Sequence, residues 1–183
     1  MEVLLQQIIN GLVLGSMYAL VALGYTMVYG IIGLINFAHG DVLMVGALTS
    51  WTIIGVMQDA TPGMPGWLVL LLAVIIAMVV CATLNFTIEK LAYRPLRNSS
   101  RLAPLITAIG MSLLLQTFAM IIWKPNPKSY PNMLPTEPVE FGGAVISITQ
   151  ITILATTVIT LAFLMWLVNR TNLGRAMRAT AEN

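Results

Sequence analysis

The sequence predicts an all-α protein, a polytopic bundle of transmembrane helices, and two observations lead to this prediction. Of the 183 residues, 58% are apolar and only 9% are charged, whereas a soluble globular domain carries about 25% charged residues. Apolar stretches of about 20 residues recur along the chain, and this length matches the hydrocarbon core of a bilayer at the rise of an α-helix. We therefore expect a single membrane domain over residues 1–183.

The N-terminal apolar region, residues 8–57, is too long for one crossing of a membrane. A polar cluster of Asn36, His39 and Asp41 lies near the middle of this region. We therefore expect two helices that meet at the cluster. The two spans are predicted at about residues 8–35 and 42–57.

Each of three later stretches is long enough to span a bilayer and holds no charged residue. A charged side chain at the centre of a membrane helix is costly, so uncharged stretches of this length are typical of spans. These three spans are predicted at residues 66–88, 102–123 and 148–168.

The basic residues between the spans predict their orientation. The loop at residues 89–101 carries four Lys or Arg residues and the segment after Val168 carries three, and basic loops stay on the cytoplasmic side. The connections 58–65 and 124–143 lack a basic excess and are expected on the outer side. The three later spans alternate between the two sides accordingly. Two full crossings before residue 58 would place the N-terminus outside, whereas a broken or re-entrant helix around Asn36 would change this side.

The polar cluster is the first candidate for a functional site, and two interpretations of it stay open. Ionisable groups deep in a membrane usually face a bundle interior or a water-filled path, and a break between half-helices exposes backbone groups that can hold a zwitterion. Alternatively, the segment is a turn at the membrane surface, with Asp41 as the N-cap of the next helix.

The tail at residues 171–183 predicts a short amphipathic helix. Its apolar side is expected to hold Leu173, Met177 and Thr180. Its charged side is expected to hold Arg175, Arg178 and Glu182. Such a helix either docks into a groove of a soluble partner or anchors the chain to lipid phosphates through its arginines.

Interfacial anchors and interhelical hydrogen bonds account for the other polar residues near the spans. An aromatic ring at headgroup level and snorkelling arginines are typical anchors, and we expect this role for Tyr93, Arg94 and Arg97. Amide side chains inside membrane helices usually bond to neighbouring helices, and we expect this of Asn10, Asn85 and Gln116.

Enzyme signatures are missing from the sequence. It contains neither a phosphate-binding Gly-Lys-Ser loop, nor a serine elbow, nor paired metal-binding histidines. The single cysteine, Cys81, fits a small packing residue. We therefore expect this chain to have no catalytic residues, metal ion, cofactor or nucleic-acid partner.

Several short motifs resemble one known family, in the family's order and over nearly the whole chain. They are Asn10-Gly11 through Tyr18-Ala19-Leu20, GYTMVYGIIG from Gly24, INFAHG from Ile35, AYRP from Ala92, AIGMS from Ala108, and GRA from Gly174 with RA from Arg178. The family is the LivH-type membrane permease subunit of high-affinity branched-chain amino acid ABC transporters. The resemblance implies a helix bundle of the ABC-importer permease type in the bacterial inner membrane.

The resemblance also implies function and partners. A permease of this family forms the translocation path for Leu, Ile and Val. It pairs with a homologous permease subunit, couples to two cytoplasmic ATPase subunits that hydrolyse ATP, and receives substrate from a periplasmic binding protein.

Two groups of residues take on roles by this resemblance. The substrate path is implied near Asn36, His39, Gly40 and Asp41. The coupling helix that fits the ATPase is implied at residues 171–183, through Leu173, Gly174, Arg175, Met177, Arg178, Ala179 and Glu182.

Other functions and one departure from the family remain. Permeases for urea and short amides share this architecture, a passive channel would use residues 36–41 as a re-entrant selectivity loop, and a membrane-embedded enzyme would need more than His39 and Asp41. Family members continue with further spans after the coupling helix. We therefore expect this sequence to be the N-terminal part of a longer permease.

Overall fold

The computed structural model describes residues 2–32, 36–96, 99–100, 102–134, 138–141 and 144–181. The described helices, in chain order, are α1 (Glu2–Ile32), α2 (His39–Ala60), α3 (Gly66–Ile88), α4 (Leu102–Trp123), α5 (Ile148–Arg170) and α6 (Asn172–Ala181). A π-helical turn, Glu89–Tyr93, and a 3-10 turn, Arg94–Leu96, continue α3. Two short strands, β1 (Pro138–Phe141) and β2 (Ala144–Ser147), pair antiparallel, with Pro138 opposite Ser147.

Five helices of the described chain are long and apolar enough to cross a membrane. They cover Val3–Gly30, His39–Ala60, Gly66–Leu96, Leu102–Trp123 and Ile148–Arg170. Their large apolar side chains are widely exposed, as expected for surfaces that lipid rather than water covers. The predicted fold class, an all-α polytopic membrane protein, is confirmed.

The helix bounds differ from the predicted spans at the start of α1, at both ends of α2, after α3 and at the end of α5. The first helix begins at Glu2 rather than near residue 8, and α2 begins at His39 rather than at residue 42. The basic segment after α3 stays helical as far as Leu96, although the sequence indicated a loop there. Positive charge thus marks the end of a span but does not by itself end a helix.

The chain divides into two compact units. The terminal unit comprises Met1–Gly33 with Leu134–Asn183, and the central unit comprises Leu34–Met133.

In the terminal unit, α1 packs against α5, α6 and β2. The Gln6 side chain pairs with both backbone groups of Val145, donating to its carbonyl at 3.0 Å and accepting from its N–H at 2.9 Å. Gln150 forms a capping box with Ser147 at the start of α5. It also donates to Asn10 Oδ1 at 3.2 Å, which confirms the interhelical bond expected for Asn10.

In the central unit, α2 packs against α3 and α4 around two apolar clusters. One cluster contains Ala38, Val42, Ile88 and Leu115. The other contains Ile54, Val69 and Ala73. Between them α2 and α3 approach closely, because a Cβ atom added at Gly46 would lie 2.8 Å from Cys81 Sγ.

The chain after α4 returns across the second half of α2. Trp51 Nε1 donates to the Ser129 carbonyl at 3.0 Å, and the hydroxyls of Ser50 and Tyr130 lie 2.9 Å apart. The Lys128 ammonium lies 4.7 Å from the centre of the Trp51 ring. These contacts fix one end of the central unit, whereas the polar cluster lies at the other end of α2.

Candidate functional site

A turn built by Asn36 begins α2. Its Oδ1 accepts from the Ala38 N–H at 3.1 Å, and its carbonyl accepts from the His39 N–H at 3.1 Å. The helix therefore begins at His39, with Ala38 at the N-cap and without a side-chain cap. The prediction of Asp41 as N-cap is wrong, because the Asn36 turn starts the helix earlier and leaves Asp41 in its first turn.

Asp41 is a buried carboxylate, only 8% exposed. Its Oδ1 accepts from Gln116 Nε2 at 3.0 Å, and the same nitrogen donates to Ser112 Oγ at 3.2 Å. A buried carboxylate needs such donors to offset its lost hydration, and its place in the first turn favours negative charge. The interhelical bond expected for Gln116 is confirmed, whereas Asn85 lies on an exposed face of α3.

The first turn of α2 contacts residues inside α3 and α4. Gln116 stands about four turns after the start of α4 and about two turns before its end. Cys81, whose Sγ donates to the Val42 carbonyl at 3.5 Å, is about two turns from the end of α3. The residues that contact the start of α2 therefore extend from Gln116 inside α4 to Tyr93, five residues beyond the end of α3.

Tyr93 belongs to the same cluster, which the sequence did not indicate. Its hydroxyl donates to Asn36 Oδ1 at 2.9 Å, and its ring packs against the apolar cluster that contains Ala38 and Val42. We expected Tyr93 at the membrane interface as an anchor; it ends the π-helical turn Glu89–Tyr93, and its hydroxyl faces Asn36. Only long-range packing brings the two residues together, so no local pattern identifies the pair.

The other predicted residues of this region fall as follows. His39 and Gly40 are the first two residues of α2 and are half-buried. Arg94 is exposed in the 3-10 turn. Arg97 lies outside the described residues. Within the described ranges, no group of three or more His, Cys, Asp or Glu residues is placed to hold a metal ion.

The second predicted site, α6, starts directly at the end of α5. Thr171 is extended and its Oγ1 accepts from the Gly174 N–H at 3.2 Å, while its own N–H donates to the Leu167 carbonyl at 3.3 Å. A Cβ atom at Gly174 would collide with the carbonyl oxygens of Val168 and Leu167. Only glycine therefore lets α6 approach α5 this closely.

The side chains of α6 divide into two groups. Gly174 is buried and Met177 half-buried, and Arg178 Nη1 reaches back to the Val168 carbonyl at 3.0 Å. Leu173 is 57% exposed, and Arg175, Arg178 and Ala179 are exposed too. The Arg175 guanidinium donates to Asn172 of its own helix. Glu182 lies outside the described residues. An amphipathic helix is present at Asn172–Ala181, and Arg178, although exposed, also donates to the last turn of α5.

Five membrane-length helices among the described residues define a multi-pass membrane protein, with a hydrogen-bonded polar cluster at the start of α2. The family described as "Branched-chain amino acid transport system / permease component" matches residues 7–183. The chain belongs to this family of transport permeases.

Curated relatives agree with this membership. The chain is 44% identical over 187 residues to the high-affinity branched-chain amino acid transport system permease protein BraD of Pseudomonas aeruginosa. It is 41% identical over 183 residues to the permease protein LivH of Escherichia coli (strain K12), and 40% identical to LivH of Salmonella typhimurium. Each alignment covers 98% of this chain, which spans 59% of the length of the relative. No solved structure matches the chain.

Proposed function

We propose that this chain forms the membrane-spanning permease part of an ATP-driven importer for Leu, Ile and Val in the bacterial inner membrane. Family membership and the relatives' names support the transport class. The observation that carries the proposal is the polar cluster at the start of α2, where Asp41 is buried and bonds to Gln116 inside α4. In this proposal residues 1–183 act as one permease domain, and partner ATPases supply the energy.

The junction suits an amino acid zwitterion. Asp41 bonds to Gln116, which is neutral, so the bond leaves the negative charge available to attract an α-ammonium group. The first turn of α2 at His39 and Gly40 attracts a carboxylate, because the N-terminal end of a helix carries partial positive charge. Asn36 adds an amide beside it. Urea and short amides carry no charge, so this arrangement favours amino acids as substrates.

In the same proposal, α6 is the coupling helix that contacts a cytoplasmic ATPase subunit. Its exposed residues Leu173, Arg175 and Ala179 would face that partner. Gly174, Met177 and Arg178 would hold the helix on α5. The proposal also assigns the loop at residues 89–101, with Arg94 and Arg97, and the C-terminal end to the cytoplasmic side. A homologous permease and a periplasmic binding protein complete the complex.

The test is uptake of labelled leucine by liposomes that contain the full permease complex and its binding protein. We expect uptake that requires ATP and that excess isoleucine or valine inhibits, whereas urea and acetamide do not compete. Asp41→Asn should weaken uptake of leucine while the complex still assembles. Urea uptake in place of leucine uptake would exclude the amino acid substrate, and flux without ATP would indicate a channel.

The coupling role of α6 needs its own measurement. Arg175→Glu reverses an exposed charge and leaves the contacts with α5 in place. We expect it to weaken binding of the ATPase subunits in a pull-down from membranes, and to reduce uptake accordingly. A matched change at Lys128, in the central unit, should leave ATPase binding unchanged. Equal ATPase binding in wild type and Arg175→Glu would remove α6 from the proposed interface.

A further inference from the structure

Two residues from separate parts of the central unit hold the polar cluster at the start of α2. Tyr93, after α3, donates to Asn36 before the start of α2. Gln116, in α4, donates to Asp41 after that start. We infer that Tyr93 and Gln116 are positioning residues that fix the first turn of α2 for substrate binding, an inference that rests on the function proposed above.

The Gln116 amide has one productive orientation. Its Nε2 carries two hydrogens, and two acceptors, Asp41 Oδ1 and Ser112 Oγ, lie within hydrogen-bond distance of it. Rotating the amide would turn Oε1 towards the carboxylate and place two acceptors face to face. The Asp41 carboxylate, which can only accept, therefore fixes the orientation of the amide, and Ser112, one turn before Gln116 on the same helix, takes the second hydrogen of Nε2.

Tyr93 acts on the turn that starts α2. Asn36 Oδ1 receives two hydrogen bonds, one from the Ala38 N–H that forms the turn and one from the Tyr93 hydroxyl. The Tyr93 ring packs on the apolar cluster with Ala38 and Val42. This packing holds the ring, and therefore its hydroxyl, in position. A π-helical turn is a common device for redirecting a side chain at a functional site, and here it ends at Tyr93.

The first test is the kinetics of leucine uptake in the reconstituted complex. Gln116→Leu should raise KM about tenfold, because a hydrogen bond to a buried charge is lost, and Tyr93→Phe about threefold, because only a neutral bond is lost. The maximal rate and the amount of assembled complex should change little. Thr117→Val is a matched control in α4, because its hydroxyl bonds only to Leu113 of the same helix. Tyr18→Phe, at an exposed tyrosine of α1, is the control for Tyr93→Phe.

The second test needs no transport, because Cys81 reports on the start of α2. Its Sγ contacts the Val42 carbonyl in the first turn, and it is the only cysteine of the sequence. The rate of Cys81 alkylation by N-ethylmaleimide, measured on its peptide by mass spectrometry, should rise about tenfold in Gln116→Leu and about threefold in Tyr93→Phe if the first turn opens. Neither control should change this rate.

A double substitution separates positioning from general stability. If Gln116 acts through Asp41, then Gln116→Leu should add nothing to the alkylation rate of Asp41→Ala. Independent effects that multiply, or variants that lose complex while KM and alkylation stay at wild-type values, would overturn the inference. Wild-type complex without ATP-dependent uptake would overturn the proposed function instead, and the alkylation rates would still decide the role of these two residues.

Discussion

The two helix-to-helix junctions of this chain are held in different ways. At the α5–α6 junction the contacts are local, and the longest, from Arg178 to Val168, joins residues ten positions apart. At the α1–α2 junction the side chains that hold Asn36 and Asp41 come from 57 and 75 positions away. The first junction is therefore set by its own sequence, whereas the second depends on where α3 and α4 lie.

This difference has a consequence for mechanism. A locally held junction moves as one piece, so displacement of α6 is passed to the end of α5. A junction held from α3 and α4 changes whenever those helices shift against α2. In the proposed transporter, the end of α5 therefore moves with α6, whereas the start of α2 changes with α3 and α4. Substitutions at the two junctions should accordingly have different effects.

The largest effect is expected for Gln116→Glu, which breaks the long-range junction. The new carboxylate would face the buried Asp41 carboxylate, and two like charges this close repel each other. We expect a loss of about 3 kcal/mol in stability, measured as thermal unfolding of the purified complex, and strongly reduced uptake.

The matched variant combines Gln116→Glu with Asp41→Asn, which restores an amide–carboxylate pair with the charge on the opposite helix. Thermal stability should return in this pair, but the KM for leucine should not, because the charge has moved. Recovery of both would mean that the position of the charge is unimportant for binding.

Gly174→Ala should have the next largest effect, at the local junction. The added Cβ would meet backbone oxygens of Val168 and Leu167, which cannot move aside without disturbing α5. Overpacking of this kind costs about 2 kcal/mol, and we expect lower thermal stability and less uptake per ATP hydrolysed. Gly55→Ala is the control, because its added Cβ meets nothing within 4 Å. Equal melting temperatures for the two variants would contradict the close approach of α6 to α5.

Features that depend on local sequence could be predicted. Helix α4 has the bounds expected from its apolar length, Leu102–Trp123, because bilayer thickness constrains each span separately. The amphipathic pattern of α6 likewise needs only helical periodicity. The existence of the α1–α2 junction followed from the polar residues in an apolar run.

Features that depend on distant residues could not be predicted. The start of α2 is held by the contacts of Asp41 with Gln116 and of Val42 with Cys81, and no local pattern reports these contacts. The sequence around Tyr93 has the pattern of an interfacial anchor. It gives no sign of the π-helical turn that ends at Tyr93 or of the bond to Asn36. The strands β1 and β2 were missed because a proline-rich connection gives a weak strand signal.

Gly46→Ala should have a smaller effect, because it changes only the packing of α2 on α3. The added Cβ would lie 2.8 Å from Cys81 Sγ, a side-chain atom that can shift, so we expect a loss of about 1 kcal/mol. Combining it with Cys81→Ala should recover the thermal stability, because the sulfur is removed. No recovery in the double variant would place the strain elsewhere than between these two residues.

The smallest effects are expected at the two arginines of α6, and they should separate. Arg178→Ala removes a donor to the last turn of α5 and should cost about 1 kcal/mol in thermal stability, whereas Arg175→Ala should cost less than about 0.5 kcal/mol because its partner is an exposed neighbour. Titration of the ATPase subunits should give the reverse order, with Arg175→Ala weakening binding more than Arg178→Ala. If both variants weaken ATPase binding equally and melt at the same temperature, the bond from Arg178 to Val168 does not help to hold α6. In that case only Gly174 and Thr171 hold α6 on α5.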